Sequence, residues 1–160
     1  MAAPYHLIEE KAEQAFAAAL LTEYAGTRDS ATGLISGGAL DGVYLFRGFD
    51  LLDIALPYIS IVCDESGPNE EGLEYATGNQ VCKITAQVCH QHNDTTRDGH
   101  SQIVGYVRDM IYASNLKDLM NAGGVTDFTA TRTYPGQGSR GVEDGRIITG
   151  TELMVKCRPS

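Results

Sequence analysis

The sequence predicts an α+β fold, a mostly antiparallel β-sheet with an N-terminal helix and a long central helix packed on one face. Three observations carry this. Apolar residues recur at helical spacing in two stretches, Pro4 to Tyr24 and Ile103 to Ile111. Val81 to His90 alternates apolar and polar residues as a half-covered strand does. The elements fall in the order helix, three strands, long helix, two strands, so most strands neighbour other strands instead of alternating with helices.

Taken in order, Leu7, Ile8, Ala12, Ala15, Phe16, Ala19 and Leu20 form one stripe on the first helix, with Pro4 in its first turn and Gly26 after its last. Thr27 to Gly42, rich in Gly and Ser, predicts an exposed, mobile loop. It has neither the Lys-Ser/Thr ending of a P-loop nor GxGxxG spacing. Val43 to Arg47 is a short strand, and Gly48 to Ala55 a connector. Pro57 then opens a central strand, Tyr58 to Cys63, that is apolar on both faces. Asp64 to Asn79 is an acidic loop carrying Asp64, Glu65, Glu70, Glu71 and Glu74, and no Lys or Arg lies between Arg47 and Lys83. Its acids lack the alternate spacing of a calcium loop.

In the next strand Ile84, Ala86 and Val88 face the core, and parity places His90 with them. Gln91 to Asp98 is a polar loop. The central helix follows, with Asp98 or a nearby Thr as its N-cap. Ile103, Val104, Val107, Met110 and Ile111 form its stripe, while Arg108 and Asp109 fall on the solvated side. Asn115 and Asp118 cap a short helix, Leu116 to Asn121. Val125 to Tyr134 and Arg146 to Cys157 form a long hairpin around a glycine-rich loop, Pro135 to Gly145, and Arg158 to Ser160 end in the open. Sheet edges come from the Tyr58 to Cys63 strand and from this hairpin.

The 160 residues read as one domain, 1–160. No apolar run approaches the ~20 residues that span a bilayer. Glu9, Glu10 and Glu13 are foreign to a secretory leader, so a cytoplasmic product is expected. The net charge of −9 argues against gripping nucleic acid, which requires Lys and Arg, but suits a surface that DNA slides past. The four cysteines, Cys63, Cys82, Cys89 and Cys157, form no CxxC pair and read as reduced structural thiols.

His90, His92 and His100, with Cys89 nearby, are the one place where a metal site or a general base is arguable. Zinc requires three or four supported ligands, and His90-Gln91-His92 runs into the polar turn Asn93-Asp94-Thr95. These read as loop histidines, with no metal, no cofactor and no catalytic set. A Cys89–His nucleophile pair lacks an orienting group and an oxyanion hole.

Several segments together resemble the tail terminator (tail completion) proteins of long-tailed bacteriophages. They are the N-terminal helix, Val43-Tyr44-Leu45-Phe46-Arg47-Gly48 leading through Ala55-Leu56-Pro57-Tyr58-Ile59 into a strand, the acidic loop, the alternating strand, His100-Ser101-Gln102-Ile103-Val104-Gly105-Tyr106-Val107-Arg108, and the closing hairpin ending in Thr151-Glu152-Leu153-Met154-Val155. The resemblance spans nearly the whole chain through weak patterns. It implies a non-enzymatic virion protein of the tail and neck, made in the host cytoplasm. Such a protein forms a homo-oligomeric ring, a hexamer on the tail. The ring ends tail-tube polymerisation, touches the tail tube protein and the head-tail connector, and lets DNA pass unbound. A neighbouring connector or adaptor protein of the same neck is the alternative. An enzyme or metal-binding domain centred on His90, His92 and Cys89 is a further one.

Overall fold

The computed structural model describes residues 8–48, 56–68, 80–123, 125–130, 137–143 and 145–159. It has an α+β fold. Helix α1 (Ile8–Glu23) buries Ile8, Ala12, Ala15, Phe16, Ala19 and Leu20, the stripe that the sequence predicts. Its stop differs from the expected glycine. Ala25 takes the left-handed conformation, φ 53°, with Gly26 N–H donating to Leu21 O and Ala25 N–H to Thr22 O. This is a Schellman motif with alanine at the position that glycine usually fills.

The Thr27 to Gly42 stretch, expected as a mobile loop, is pinned. Strands β1 (Thr27–Arg28) and β2 (Ile35–Ser36) pair antiparallel, and Ile35 and Leu40 are buried in the main core. Ile35 N–H donates to Val43 O and Leu45 N–H to Gly33 O, which covers the outer side of β3 (Tyr44–Arg47). Two buried aliphatic side chains, worth about 1.5–3 kcal/mol each, outweigh the glycine content that suggested mobility.

The main sheet runs β3-β4-β5-β8-β6, with β7 also on β8. β3 pairs parallel with β4 (Tyr58–Pro68), and the other pairs are antiparallel. β4 lies between β3 and β5 (Gln80–Gln91), so residues 58–61 are interior and not an edge. β4 also continues through Asp64 and Glu65, beyond the point at which the acidic loop was expected to begin. The helices α2 (Asp94–Ile111) and α3 (Leu116–Gly123) follow. α1 packs on β4 and α3, and α2 on β5 and β8. Ile59, Ile61, Cys63, Cys82, Ile84, Ala86, Val88, Leu153 and Val155 meet the helices in one core cluster. Residues 49–55 of the expected connector lie outside the described residues.

The C-terminal half departs most from expectation. The glycine-rich stretch read as a loop contains β7 (Gln137–Glu143). β7 pairs with the first half of β8 (Arg146–Pro159), and β6 (Val125–Ala130) pairs with the second half. β6 and β7 therefore lie end to end along one side of β8. β8 is interior and extends through Arg158, which stands opposite Thr126. Among the described residues no strand pairs with the far side of β6 or β7. Gly138 and Gly141 hide β7 from pattern reading, because glycine contributes no side chain to the alternation.

Candidate functional site

The register of β5 on β8 makes the face under α2 change character along its length. Ile84 stands opposite Leu153 and Cys82 opposite Val155, all apolar. Further along, Ala86 stands opposite Thr151, Val88 opposite Thr149 and His90 opposite Ile147. Helix α2 closes over this polar end. Its N-cap is Asn93, five residues before Asp98 and two or three before the nearby threonines, because Asn93 and Thr96 form a capping box. Thr96 N–H donates to Asn93 Oδ1 (3.0 Å), and Asn93 N–H donates to Thr96 Oγ1 (3.2 Å). That early start puts His100 inside the helix, one turn before Ile103 and Val104 and on their buried face.

His90 and His100 are therefore not loop histidines. Both are buried, on strand and helix. His90 Nδ1 lies 2.9 Å from His100 Nδ1, with the rings edge to face, and His100 Nε2 lies 2.7 Å from Thr149 Oγ1. Two facing Nδ1 atoms make a hydrogen bond only when one carries a proton and the other does not. Burial pushes both histidines down, His100 to about 4, where the neighbouring His90 and Arg140 add to the effect of burial. Protonating both rings would set two N–H groups against each other at this contact.

Two arginines border this pair. Arg140, on β7, donates from Nε to Thr149 Oγ1 (3.4 Å) and from Nη2 to Ser101 Oγ (3.3 Å). Arg108, read as solvated, is half-buried and donates from Nε to Thr151 Oγ1 (3.4 Å). Thr149 Oγ1 thus joins α2, β7 and β8. Spacing along α2 puts Arg108 beside the apolar stripe, and only the register of β8 shows Thr151 beneath it.

The other residues singled out from the sequence do not join this cluster. Cys89 lies on the opposite face of β5, opposite Tyr58, whose hydroxyl donates to the Cys89 sulfur. Burial pushes the Cys89 thiol up and Tyr58 to about 12. His92 is exposed just past the strand, its N–H on Gly145 O (2.8 Å). Cys63, Cys82 and Cys89 are buried thiols, and the hydrogen bond that Cys63 makes with Cys82 raises the Cys63 thiol. Among the described residues no three His, Cys, Asp or Glu side chains converge to hold a metal ion. Asp64 and Glu65 lie in β4. Glu70, Glu71 and Glu74 lie outside the described residues, as does the side chain of Cys157.

A concavity of about 450 Å³ opens between α1 and β3 beside Ala17, Leu21, Arg28, Phe46 and Arg47. Its cations are engaged. Arg47 pairs with Glu13 (3.5 Å), and Arg28 donates to Leu45 O (2.7 Å) with its guanidinium over the Phe46 ring. Among the described residues no helix is long and apolar enough to cross a membrane. No family model matches the chain, and no curated protein matches it.

Proposed function

We propose that the chain is a structural virion protein, a tail terminator. In this reading it forms a ring at the head-proximal end of a phage tail tube, ends tube growth and joins the tail to the head connector. The resemblance of the chain's motifs to that family motivates the reading, and the outer side of β6 and β7 is the observation that supports it best. These strands extend one sheet edge along nearly the whole of β8, and no strand covers it among the described residues. Unpaired edge N–H and C=O groups are usually covered. A repeated heterologous contact that closes into a ring covers one such edge on every copy. The acidic run from Asp64 to Glu74 then faces the channel or its mouth, where carboxylates keep DNA from sticking.

The test is electron microscopy of the purified protein, alone at high concentration and added to growing tail tubes. Rings of about six copies capping the tubes are expected. A chain that stays monomeric alone and in finished tails overturns the reading. A ring found on the head side instead, against the connector and away from the tube, favours the neck adaptor.

A further inference from the structure

We propose that Arg108 and Arg140 form a docking site for a carboxylate of a second copy of this chain. This deepens the ring reading and rests on it. Each guanidinium carries five N–H donors. Arg108 uses one within the chain and Arg140 two, all on neutral hydroxyls and all long, at 3.3–3.4 Å. Among the described residues neither arginine pairs with a carboxylate. That is unexpected in a chain with 21 acids and 12 Lys and Arg, where acids are the commoner charge. Arg47 and Lys83, by contrast, each hold one, Glu13 and Glu152.

The position of the two arginines names the partner. Thr149 and Thr151 sit two residues apart on the same face of β8, so the hydroxyls beneath the guanidiniums are spaced by about 7 Å. The donors that remain after those hydroxyl bonds suit an acceptor-only group such as a carboxylate. Arg140 belongs to β7, and β7 forms part of the open edge. A neighbour that pairs with this edge brings its own surface over Arg140 and Ser101. That surface comes from a chain with 21 acids against 12 Lys and Arg, so a carboxylate is the charge it most often presents to the fork, and edge pairing offsets the repulsion between two copies of net charge −9. Phosphate groups fit the same fork, but a polyanion meets that repulsion without the edge pairing.

The test compares wild type, Arg108→Gln with Arg140→Gln, and Arg108→Lys with Arg140→Lys by sedimentation velocity and electron microscopy. Circular dichroism checks each fold. Wild-type rings are expected to weaken at least about tenfold in the glutamine pair and to recover in part in the lysine pair. Raising salt from about 0.05 to about 0.5 M should cost wild-type association more than that of the arginine-to-glutamine variants, in which only the general repulsion is screened. If the glutamine pair does not fold, Arg140→Gln alone, at an exposed side chain, and the salt series decide. Rings of unchanged affinity in a folded glutamine variant overturn this inference and leave the ring reading standing. Wild-type protein that is monomeric under every condition, in tails as well, overturns both.

Discussion

At the scale of single residues, the paired histidines set a pH dependence. His100 is neutral when folded and titrates near 4, against about 6.5 in an unfolded chain. A depressed folded value means that the unfolded chain binds the proton first. The stability linked to His100 is complete above about pH 6.5 and is lost as pH falls toward 4. The loss is on the order of 2–3 kcal/mol. Carboxylates also begin to titrate at the bottom of that window, so the useful measurement is a difference. Melting temperature between pH 7 and pH 4.5 should fall more steeply for wild type than for His100→Gln, which keeps a polar group toward Thr149. Equal slopes would show that the pair carries no linkage. Half of this site was legible in the sequence. Parity placed His90 on the Val88 face, and His100 stands three and four residues before Ile103 and Val104, which extends their stripe. Their partnership was not legible, because a 2.9 Å contact between strand and helix depends on where α2 begins. Ala25 offers a second test. Its left-handed backbone is strained for any residue with a Cβ, and Ala25→Gly should stabilise by about 1 kcal/mol, raising the melting temperature by about 2–4 °C.

At the scale of elements, two glycines on helices predict opposite outcomes for one substitution. A Cβ on Gly123, at the end of α3, would lie 2.7 Å from the Cα of Ala15 on α1. Backbone cannot rotate away as a side chain does. Gly123→Ala should therefore part the two helices and destabilise by about 1–3 kcal/mol. A Cβ on Gly105, in α2, meets nothing within 4 Å, so Gly105→Ala should gain helix propensity and stabilise by about 0.5–1 kcal/mol. Urea unfolding of both variants checks the pair, and a Gly123→Ala variant that is not destabilised would mean that the α1–α3 contact is looser than described. The same elements show what pattern reading reaches. The α1 and α2 stripes and the β5 alternation were legible because burial repeats at 3.6 or 2 residues along them. The start of α2 was missed because Asn93 and Thr96 cap through side chains inside what looks like a polar loop. β7 was missed because its place is set by β8, a partner that follows it in sequence.

At the scale of the whole molecule, the ring reading makes its sharpest prediction about charge. A strand of DNA leaving through a ring meets the same lining on every copy. Each phosphate neutralised by a lysine releases counterions and adds affinity, so a few such contacts per copy, multiplied around the ring, would hold the strand. Carboxylates in that position repel it. The longest stretch of this chain without Lys or Arg runs from Gly48 to Cys82, and it contains Asp64, Glu65, Glu70, Glu71 and Glu74. β4 and β5 bracket that segment. The backbones of Asp64 and Glu65 continue β4 past Cys63, and Glu70, Glu71 and Glu74 lie outside the described residues. The arginine pair sits toward the other end of β5 and β8, since Thr149 stands opposite Val88 and Thr151 opposite Ala86. If the acidic segment lines the passage and takes no part in the contact between copies, Glu70→Lys, Glu71→Lys and Glu74→Lys together should leave ring formation intact. Particles carrying the triple variant should assemble and then eject DNA slowly or not at all. Ejection triggered in vitro and followed by light scattering measures this. Wild-type kinetics from particles shown to contain the variant would place the acidic segment away from the channel and reduce it to a solubilising surface.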